Sequence, residues 1–561
     1  MPIAITSLES EKRVSRTRVI SAVLTAIAFI ASTLILWATR GWGIGITADS
    51  TVYIGAARSL LSSGTLQDAD SIGRPIPLVH QAPLLPILLA TISRIFRIDP
   101  VSSARWLSAI LFGVNTALLG VIAWRFVKSA WIGLAAALLA LIATPMIDYH
   151  LMALSEPLYL FFSLSTLFLL LHYSSDFQLR WLLFAGAVSA FAFLTRYAGI
   201  ALVGTGFFAL LFLCRRNPAR AIRHPLTYLL IACLPMAAWL LRNLALADSV
   251  SDYSMGKAFG AHTTFGAVAL GLDTVSAWIL PGFVPRPLRI GIAMASILSL
   301  IIICYWQRFR NARATASLSW LDLQRAKLLG LASLFIACNL LLLFVVASSV
   351  DETLRLDDRI LVPLLCPAIL LLLCSLQLTS ASRSTSNRLW IVPALIIGLS
   401  FVTNSVRSTI HLLAAAHSGS GYGAKRWRNS PVIRQLQLMP DKIPIYTTLP
   451  SCVRFLTARP ARLLPNTYDS RTGRENLDYR DEISRMRSES RSPGIAVAYF
   501  KGDSRRPFLY ESEMERYMDL HLVARDDTGS LYLSSTALEN RIAVKGDQET
   551  RETDRKLHLD E

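Results

Sequence analysis

Long apolar segments separated by short polar ones make up the chain from near its N-terminus to about residue 410. A helix needs roughly 20 apolar residues to cross a bilayer core, and about 17 still suffice. On this criterion the sequence predicts about eleven spans. They cover residues 19–39, 104–124, 131–147, 157–173, 181–195, 198–214, 225–246, 288–306, 328–349, 360–378 and 389–409. We therefore predict a mainly α-helical, polytopic transmembrane protein.

One apolar segment, from Trp181 to Cys214, is too long for a single crossing. The sequence Thr195-Arg196-Tyr197 interrupts it, which predicts the tip of a tight hairpin between two spans. The competing interpretation is one long tilted helix with a buried arginine. The distribution of basic residues favours the hairpin, because removing one span would place the later basic loops outside.

Lysine and arginine are concentrated in alternate segments between the predicted spans, and cytoplasmic loops are the basic ones in membrane proteins. The N-terminus is therefore predicted to be cytoplasmic, in a multi-pass protein of the cell (inner) membrane. The basic segments assigned to the inside include Lys12 to Arg18, Arg125 with Lys128, Arg215 to Arg223 and Arg308 to Lys327. The first loop at about 40–103, the Arg196 tip, the 247–287 loop and everything after about 410 then share the outer side.

The first outer loop contains two helix-forming segments. The first begins at Asp49 and ends at Gly64, a residue type common just after a helix. Its apolar residues Tyr53, Ala57, Leu60 and Leu61 lie opposite Thr51, Arg58, Ser59 and Ser62. The second starts near Pro83 and ends around Arg97. Amphipathic helices of this kind lie on a membrane surface, where we expect both.

The C-terminal part is predicted to be a small extracytoplasmic α/β domain, because predicted short buried strands alternate with predicted helices. Predicted strands are Ile443–Thr447, Gly494–Phe500, His521–Arg525 and Ser530–Leu533, and predicted helices lie near Ser451–Thr457, Glu475–Ser490 and Ser512–Leu520. The predicted domains are the transmembrane part at 1–415, the α/β domain at 416–540 and a disordered charged tail at 541–561.

Composition supports the membrane assignment and narrows the chemistry. Of 561 residues, 53% are hydrophobic and only 17% charged, against about 25% charged in soluble domains. The net charge of +18 is attributed to loops facing anionic lipid, not to nucleic acid. Neither a phosphate-binding GxxxxGK[ST] loop nor a GxSxG motif is present. A sugar or phosphate donor should therefore arrive attached to a lipid.

Three acids are candidates for proton transfer at the outer face. Asp49 is either a helix N-cap, which accepts backbone N–H bonds, or a general base that takes a proton from an acceptor. Asp148 and Glu156 lie in the short outer turn between the third and fourth predicted spans. Ser155-Glu156-Pro157 is also a good helix start. We predict no protein-bound metal site, although a divalent metal is compatible with this chemistry.

Four basic residues are candidates for binding a donor phosphate or substrate: Arg58, His80, Arg196 and Arg359. Arginine can bind phosphate oxygens through two parallel hydrogen bonds. The alternatives are structural. Arg196 and Arg359 can extend to lipid head groups from span ends, Asp357 and Asp358 can pair with Arg359 locally, and a lone histidine such as His80 is more often structural.

Several segments in order resemble the GT-C class of membrane glycosyltransferases, which includes protein O-mannosyltransferases and bacterial aminoarabinose transferases. The segments are DSTVYIGAARSLLSSG, HQAPLLPILLA, ALSEPLYLFFSL, FLTRYAGIAL and DDRILVPLLCP, followed by KRWRNSPVIRQL and PIYTTLPSCVRFLTARPARLLP. They cover most of the chain. One difference is that Asp49 is followed by Ser50, where many relatives carry a pair of acids.

The resemblance implies a polyprenyl-phosphate-linked sugar donor, an active site at the outer face and inversion at the sugar carbon. It implies Asp49 as catalytic base, Glu156 or Asp148 as a second acid, and Arg196 or Arg359 near the donor phosphate. The predicted function is transfer of a sugar to a glycan, lipid or protein acceptor. The alternatives are a lipid-linked sugar flippase or transporter, and a polysaccharide polymerase or ligase.

Overall fold

In a computed structural model of the chain, the described residues are 2–69, 73–247, 261–313, 320–349, 356–380, 390–467, 475–501, 514 and 518–540. The predicted charged tail at 541–561 lies outside them. Contacts divide the chain into two compact units. The first unit is Met1–Ile44 with Val79–His417, and the second is Gly45–Leu78 with Ser418–Glu561. Part of the first predicted loop therefore belongs to the same unit as the C-terminal domain.

The helices are α1 Pro2–Ala38, α2 Ala48–Ser63, α3 Leu84–Phe96, α4 Pro100–Val127, α5 Ala130–Ile142, α6 Thr144–His150, α7 Glu156–Asp176, α8 Leu179–Thr195, α9 Ile200–Cys214, α10 Pro218–Ala247, α11 Ala261–Ile279, α12 Arg286–Arg313, α13 Trp320–Ser349, α14 Asp358–Ser380, α15 Ile391–Ser418, α16 Lys425–Arg428, α17 Pro431–Gln437, α18 Pro450–Thr457 and α19 Tyr479–Arg491. The strands are β1 Gln67–Ala69, β2 Pro75–Pro77, β3 Ile445–Thr447, β4 Arg462–Leu463, β5 Ala496–Phe500, β6 Leu520–Arg525 and β7 Gly529–Ser534.

The first unit is a bundle of membrane-length helices, which confirms the polytopic fold. Among the described residues, eight helices are long and apolar enough to cross a membrane, or nine if α5 and α6, bent by 57°, form one span. Two further predicted spans also lie on helices. They are the shorter α8 and, for residues 288–306, α12. The count of about eleven spans stays a prediction.

The predicted hairpin is confirmed, and the single long helix is wrong. Helix α8 ends at Thr195, and Arg196 has the extended backbone angles φ −150° and ψ 135°. A single 3-10 turn, Tyr197–Gly199, then leads into α9. A Cβ on Gly199 would lie 2.4 Å from the backbone nitrogen of Phe193, so only glycine allows the chain to return this closely past α8.

The second unit is a three-layer α/β domain. Its five-stranded sheet has the order β4-β3-β5-β7-β6, with β3 parallel to both β4 and β5 and the other pairs antiparallel. Strand β5 alternates, since Ala496, Ala498 and Phe500 pack with α17 and α18 while Val497 packs with Met486 of α19. The predicted strands and two of the predicted helices are confirmed. The third, Ser512–Leu520, falls mostly outside the described residues and ends where β6 begins.

The segment before α2 joins the C-terminal part by a close backbone contact. Ile46 forms an isolated parallel bridge with Gly421, and its carbonyl oxygen accepts a hydrogen bond of 2.7 Å from the Tyr422 N–H. Gly421 has a φ of +57°, and a Cβ there would lie 2.0 Å from Ile46 O. Both the backbone angle and the space therefore require glycine at this position.

Replacing Gly421 with alanine should destabilise the second unit by more than the roughly 1 kcal/mol of the left-handed backbone angle alone, because the Ile46 contact must also open. Gly64→Ala is the matched control. Gly64 has a φ of +73° with no atom within 4 Å of its Cβ position. Thermal unfolding of the purified protein should show a larger fall in melting temperature for Gly421→Ala. Equal falls would contradict the prediction.

Candidate functional site

A break in the helix bundle positions the first candidate acids. The chain bends by 57° between α5 and α6, and α6 and α7 each carry a proline in the first turn. Proline suits the start of a helix, because it lacks the N–H that would be unpaired there. As a result Glu156 is the first residue of α7, beside the end of the broken span.

Glu156 is the centre of a cluster that joins three separate segments of the first unit. Its Oε1 accepts short ionic hydrogen bonds from Arg196 Nη1, at the hairpin tip, and from Arg359 Nε, in the first turn of α14. The Glu156 side chain is fully buried, whereas the arginine side chains are 17% and 31% exposed, respectively. Arg196 Nη1 also donates to Ser155 Oγ at 3.3 Å.

Burying a carboxylate is unfavourable unless opposite charge compensates it. Two guanidinium groups converge on Glu156, so its buried negative charge is compensated. Within the described part of the chain, Glu156 Oε2 has no hydrogen-bond partner. Glu156 therefore holds both arginines in place, and part of each guanidinium side chain remains exposed.

The helix start predicted at Ser155-Glu156-Pro157 is confirmed, since α7 begins at Glu156. Ser155 makes no side-chain capping bond at the start of α7 and instead accepts from Arg196. Asp357 accepts from the backbone N–H groups of Arg359 and Ile360 at 3.1 and 3.2 Å, which caps α14.

Asp148 pairs with a histidine that the sequence did not single out. His411 Nδ1 lies 2.7 Å from Asp148 Oδ1, and the two side chains are 40% and 35% exposed, respectively. Tyr149 lies within electrostatic range of Asp148, Glu156 and Asp358, so this pair belongs to the same region as the arginine cluster. His411 is on α15, far along the chain from Asp148. No local motif marks it, although Arg407 one turn earlier makes that face of α15 basic.

His150 and His80 have different surroundings. His150 is buried, its Nδ1 lies 2.6 Å from Met146 O, and its ring packs on Phe112. It is a core residue. His80 is partly exposed. Its neighbour Val79 accepts from the Tyr197 hydroxyl at 2.7 Å, so the chain at His80 is attached to the hairpin turn.

Asp49 lies in the second unit and is not a helix N-cap, so that interpretation is wrong. Thr47 caps α2, and its side chain and that of Ser50 form a reciprocal capping box. Asp49 is a partly exposed residue in the first turn of α2, where a negative charge complements the helix dipole. The other helix bounds in this loop are confirmed, since α2 ends before Gly64 at φ +73° and α3 before Arg97.

Arg58 lies on the exposed face of α2. It lines a cleft of about 270 Å³ within the second unit, together with Asp68 and Arg454. The described ranges contain no group of three or more His, Cys, Asp or Glu side chains placed to hold a metal ion.

Comparison with known proteins gives a family match over part of the chain and a shared fold. A family model for dolichyl-phosphate-mannose-protein mannosyltransferase matches residues 80–241, which include Asp148, Glu156 and Arg196. The crystal structure of ArnT from Cupriavidus metallidurans bound to undecaprenyl phosphate is similar to the chain with a TM-score of 0.53. At 12% identity, the alignment covers 92% of this chain and 98% of ArnT.

The chain therefore has a GT-C-like membrane fold, and its residues 80–241 match a mannosyltransferase family model. A second similar structure is the oligosaccharyltransferase from Archaeoglobus fulgidus in complex with Zn and sulfate. Its TM-score is 0.48 at 12% identity, with 84% of this chain and 68% of that one covered. No curated protein sequence matches this chain.

Removing the negative charge of Glu156 should destabilise the fold. In Glu156→Gln the two arginines lose their buried counter-charge, and breaking a buried ion pair costs about 3–5 kcal/mol. Asp148→Asn is the comparison, because its ion pair is partly exposed and such pairs contribute about 0–1 kcal/mol. Melting temperatures of the purified variants test this. Glu156→Gln as stable as Asp148→Asn would contradict the structural importance of the cluster.

Proposed function

We propose that this protein is an inverting glycosyltransferase that takes its sugar from a polyprenyl-phosphate donor at the extracytoplasmic membrane face. The acceptor is a glycan, lipid or protein. One observation carries the proposal: two guanidinium groups, from Arg196 and Arg359, both pair with the buried carboxylate of Glu156. The match of residues 80–241 to a mannosyltransferase family model and the fold shared with an undecaprenyl-phosphate-bound ArnT support it.

In this proposal Arg196 and Arg359 bind the phosphate of the donor. Their side chains are partly exposed, and arginine is suited to phosphate oxygens. Glu156 acts as a positioning residue. It fixes both guanidinium groups before the donor binds, so that binding requires little further ordering of side chains. Its complete burial favours this role over direct contact with the substrate.

The proposed reaction is a displacement at the anomeric carbon. The acceptor atom attacks opposite the phosphate, the bond between the sugar carbon and the phosphate oxygen breaks, and the electron pair leaves with the lipid phosphate. Asp49 takes the proton of the acceptor. The arginines stabilise the charge that develops on the phosphate. Attack from the opposite face inverts the configuration of the sugar carbon.

Replacing Asp49 with asparagine should lower sugar transfer by about 10²–10⁴-fold, the usual contribution of a general base. The α2 cap itself stays intact, because Thr47 and Ser50 form it, and melting temperatures show whether the variant is folded. Transfer of labelled sugar from a panel of polyprenyl-phosphate donors to candidate acceptors in reconstituted protein tests this. Asp99→Asn is the control, since Asp99 is an exposed cap of α4 that asparagine can replace.

Undiminished turnover in folded Asp49→Asn would contradict this assignment, and Asp148 would then be the next candidate base. If the protein instead moves labelled donor across the bilayer without transfer to any acceptor, a lipid-linked sugar flippase replaces the proposal.

Arg359→Lys and Arg196→Lys should each weaken binding of the lipid phosphate by about tenfold, since lysine keeps the charge but loses the planar pair of donors. Vesicles containing undecaprenyl phosphate without sugar are the probe, so no acceptor is needed. Arg94→Lys, an exposed arginine on α3, is the matched control. Unchanged affinity in both site variants at unchanged melting temperature would contradict the phosphate-binding role.

A further inference from the structure

The second unit contains a cleft that the proposed reaction does not use. Helix α2, the β1–β2 hairpin and helix α18 form its walls, and its volume is about 270 Å³. This is just below the range of about 300–1,000 Å³ for pockets that hold drug-sized ligands. The side chains that matter here are Arg58 on α2, Gln67 and Asp68 on β1, and Arg454 and Phe455 on α18.

The cleft combines two positive charges with one negative charge. Arg58 is exposed, and the side chains of Arg454 and Asp68 are 28% and 11% exposed, respectively. Arg454 Nη1 lies 3.9 Å from Asp68 Oδ1, so the two form a loose ion pair. Among the described residues that line the cleft, two side chains are positive and one is negative, a balance that favours a ligand with a negative charge.

A glycine keeps this cleft open. Gly55 lies in the interior of α2 and lines the cleft, although glycine weakens a helix interior relative to alanine. Packing does not require it, because a Cβ at this position would meet only Asp68 Oδ1, at an ordinary contact distance of 4.0 Å. A side chain at position 55 would occupy the cleft. The missing side chain at position 55 therefore leaves this space open to a ligand.

We infer that this cleft binds an anionic saccharide, that is, a sugar bearing a carboxylate or a phosphate. The arginines match the anionic group. The Asp68 carboxylate accepts hydrogen bonds only, and the Gln67 amide both donates and accepts, so they are suited to sugar hydroxyls. The partly exposed Phe455 ring offers an apolar surface for the C–H face of a sugar ring. A ligand with charge but few hydroxyls would leave Asp68 opposed to its anion.

This inference rests on the proposed function for its biological meaning, because an anionic saccharide here would be part of the acceptor. The binding itself is measured without donor. It can therefore succeed or fail independently of sugar transfer.

The experiment is saturation binding of fluorescently labelled disaccharides to the purified full-length protein. Three probes are compared: a disaccharide ending in a uronic acid, its phosphate monoester counterpart and the neutral parent. Arg454→Gln should weaken binding of the anionic probe by about tenfold or more, the usual effect of losing a charged hydrogen bond. Arg434→Gln, an exposed arginine on α17 in the same unit, should leave it unchanged.

Gly55→Leu tests the cleft without changing any charge. The leucine side chain should block the cleft and abolish binding of the anionic probe, while leucine itself favours the helix. Gly204→Leu on α9 is the control, because no atom lies within 4 Å of its Cβ position. Melting temperatures identify variants that fail to fold, and if Arg454→Gln is one of them, Gly55→Leu decides.

Preference for one anionic probe over the neutral parent, lost in Gly55→Leu and kept in Gly204→Leu, supports the inference. The preferred probe then tells whether the anion is a carboxylate or a phosphate. The inference is overturned if no probe binds, if the neutral parent binds equally well, or if binding survives in folded Gly55→Leu.

Discussion

The first unit depends on the compensation of one buried charge. A carboxylate removed from water is unstable unless cations are placed beside it, and the two cations at Glu156 come from the α8–α9 hairpin and from the start of α14. The ion pairs therefore connect three segments that are distant in the sequence. The same requirement fixes the directions of both guanidinium groups, and this is the organisation that phosphate binding needs.

Two irregular stretches of backbone lie in the part of the first unit that holds this charge cluster. The chain breaks between α5 and α6, and Arg196 is extended between two helices. In a membrane protein, backbone outside regular helices is tolerated only where protein or a water-filled cavity surrounds it. Helix ends also leave backbone groups unpaired and carry partial charge. A set of helix ends beside a bilayer is therefore a suitable place for charged side chains.

The second unit is stabilised mainly by apolar packing. Helices cover both faces of its sheet, and an apolar layer lies between the sheet and the helices on each face. The Gly45–Leu78 segment belongs to this unit through the Ile46 contact with Gly421 and Tyr422. Asp49, the candidate base, is thus carried by a part of the chain that packs with the C-terminal domain and not by the membrane bundle.

The sequence by itself determined the polytopic helical class, the hairpin at Arg196, the bounds of α2 and α3 and most strands of the C-terminal domain. These features are local, since apolar length, helical spacing and turn residues act within a few tens of residues. It also singled out Glu156, Arg196 and Arg359 one at a time, but not their mutual contact. Only the tertiary structure shows that these three residues are in contact and that Asp148 pairs with His411. It also shows that the α2 segment belongs to the second unit. Such contacts join residues far apart in the chain, and their energy comes from burial and charge compensation, which no local pattern encodes.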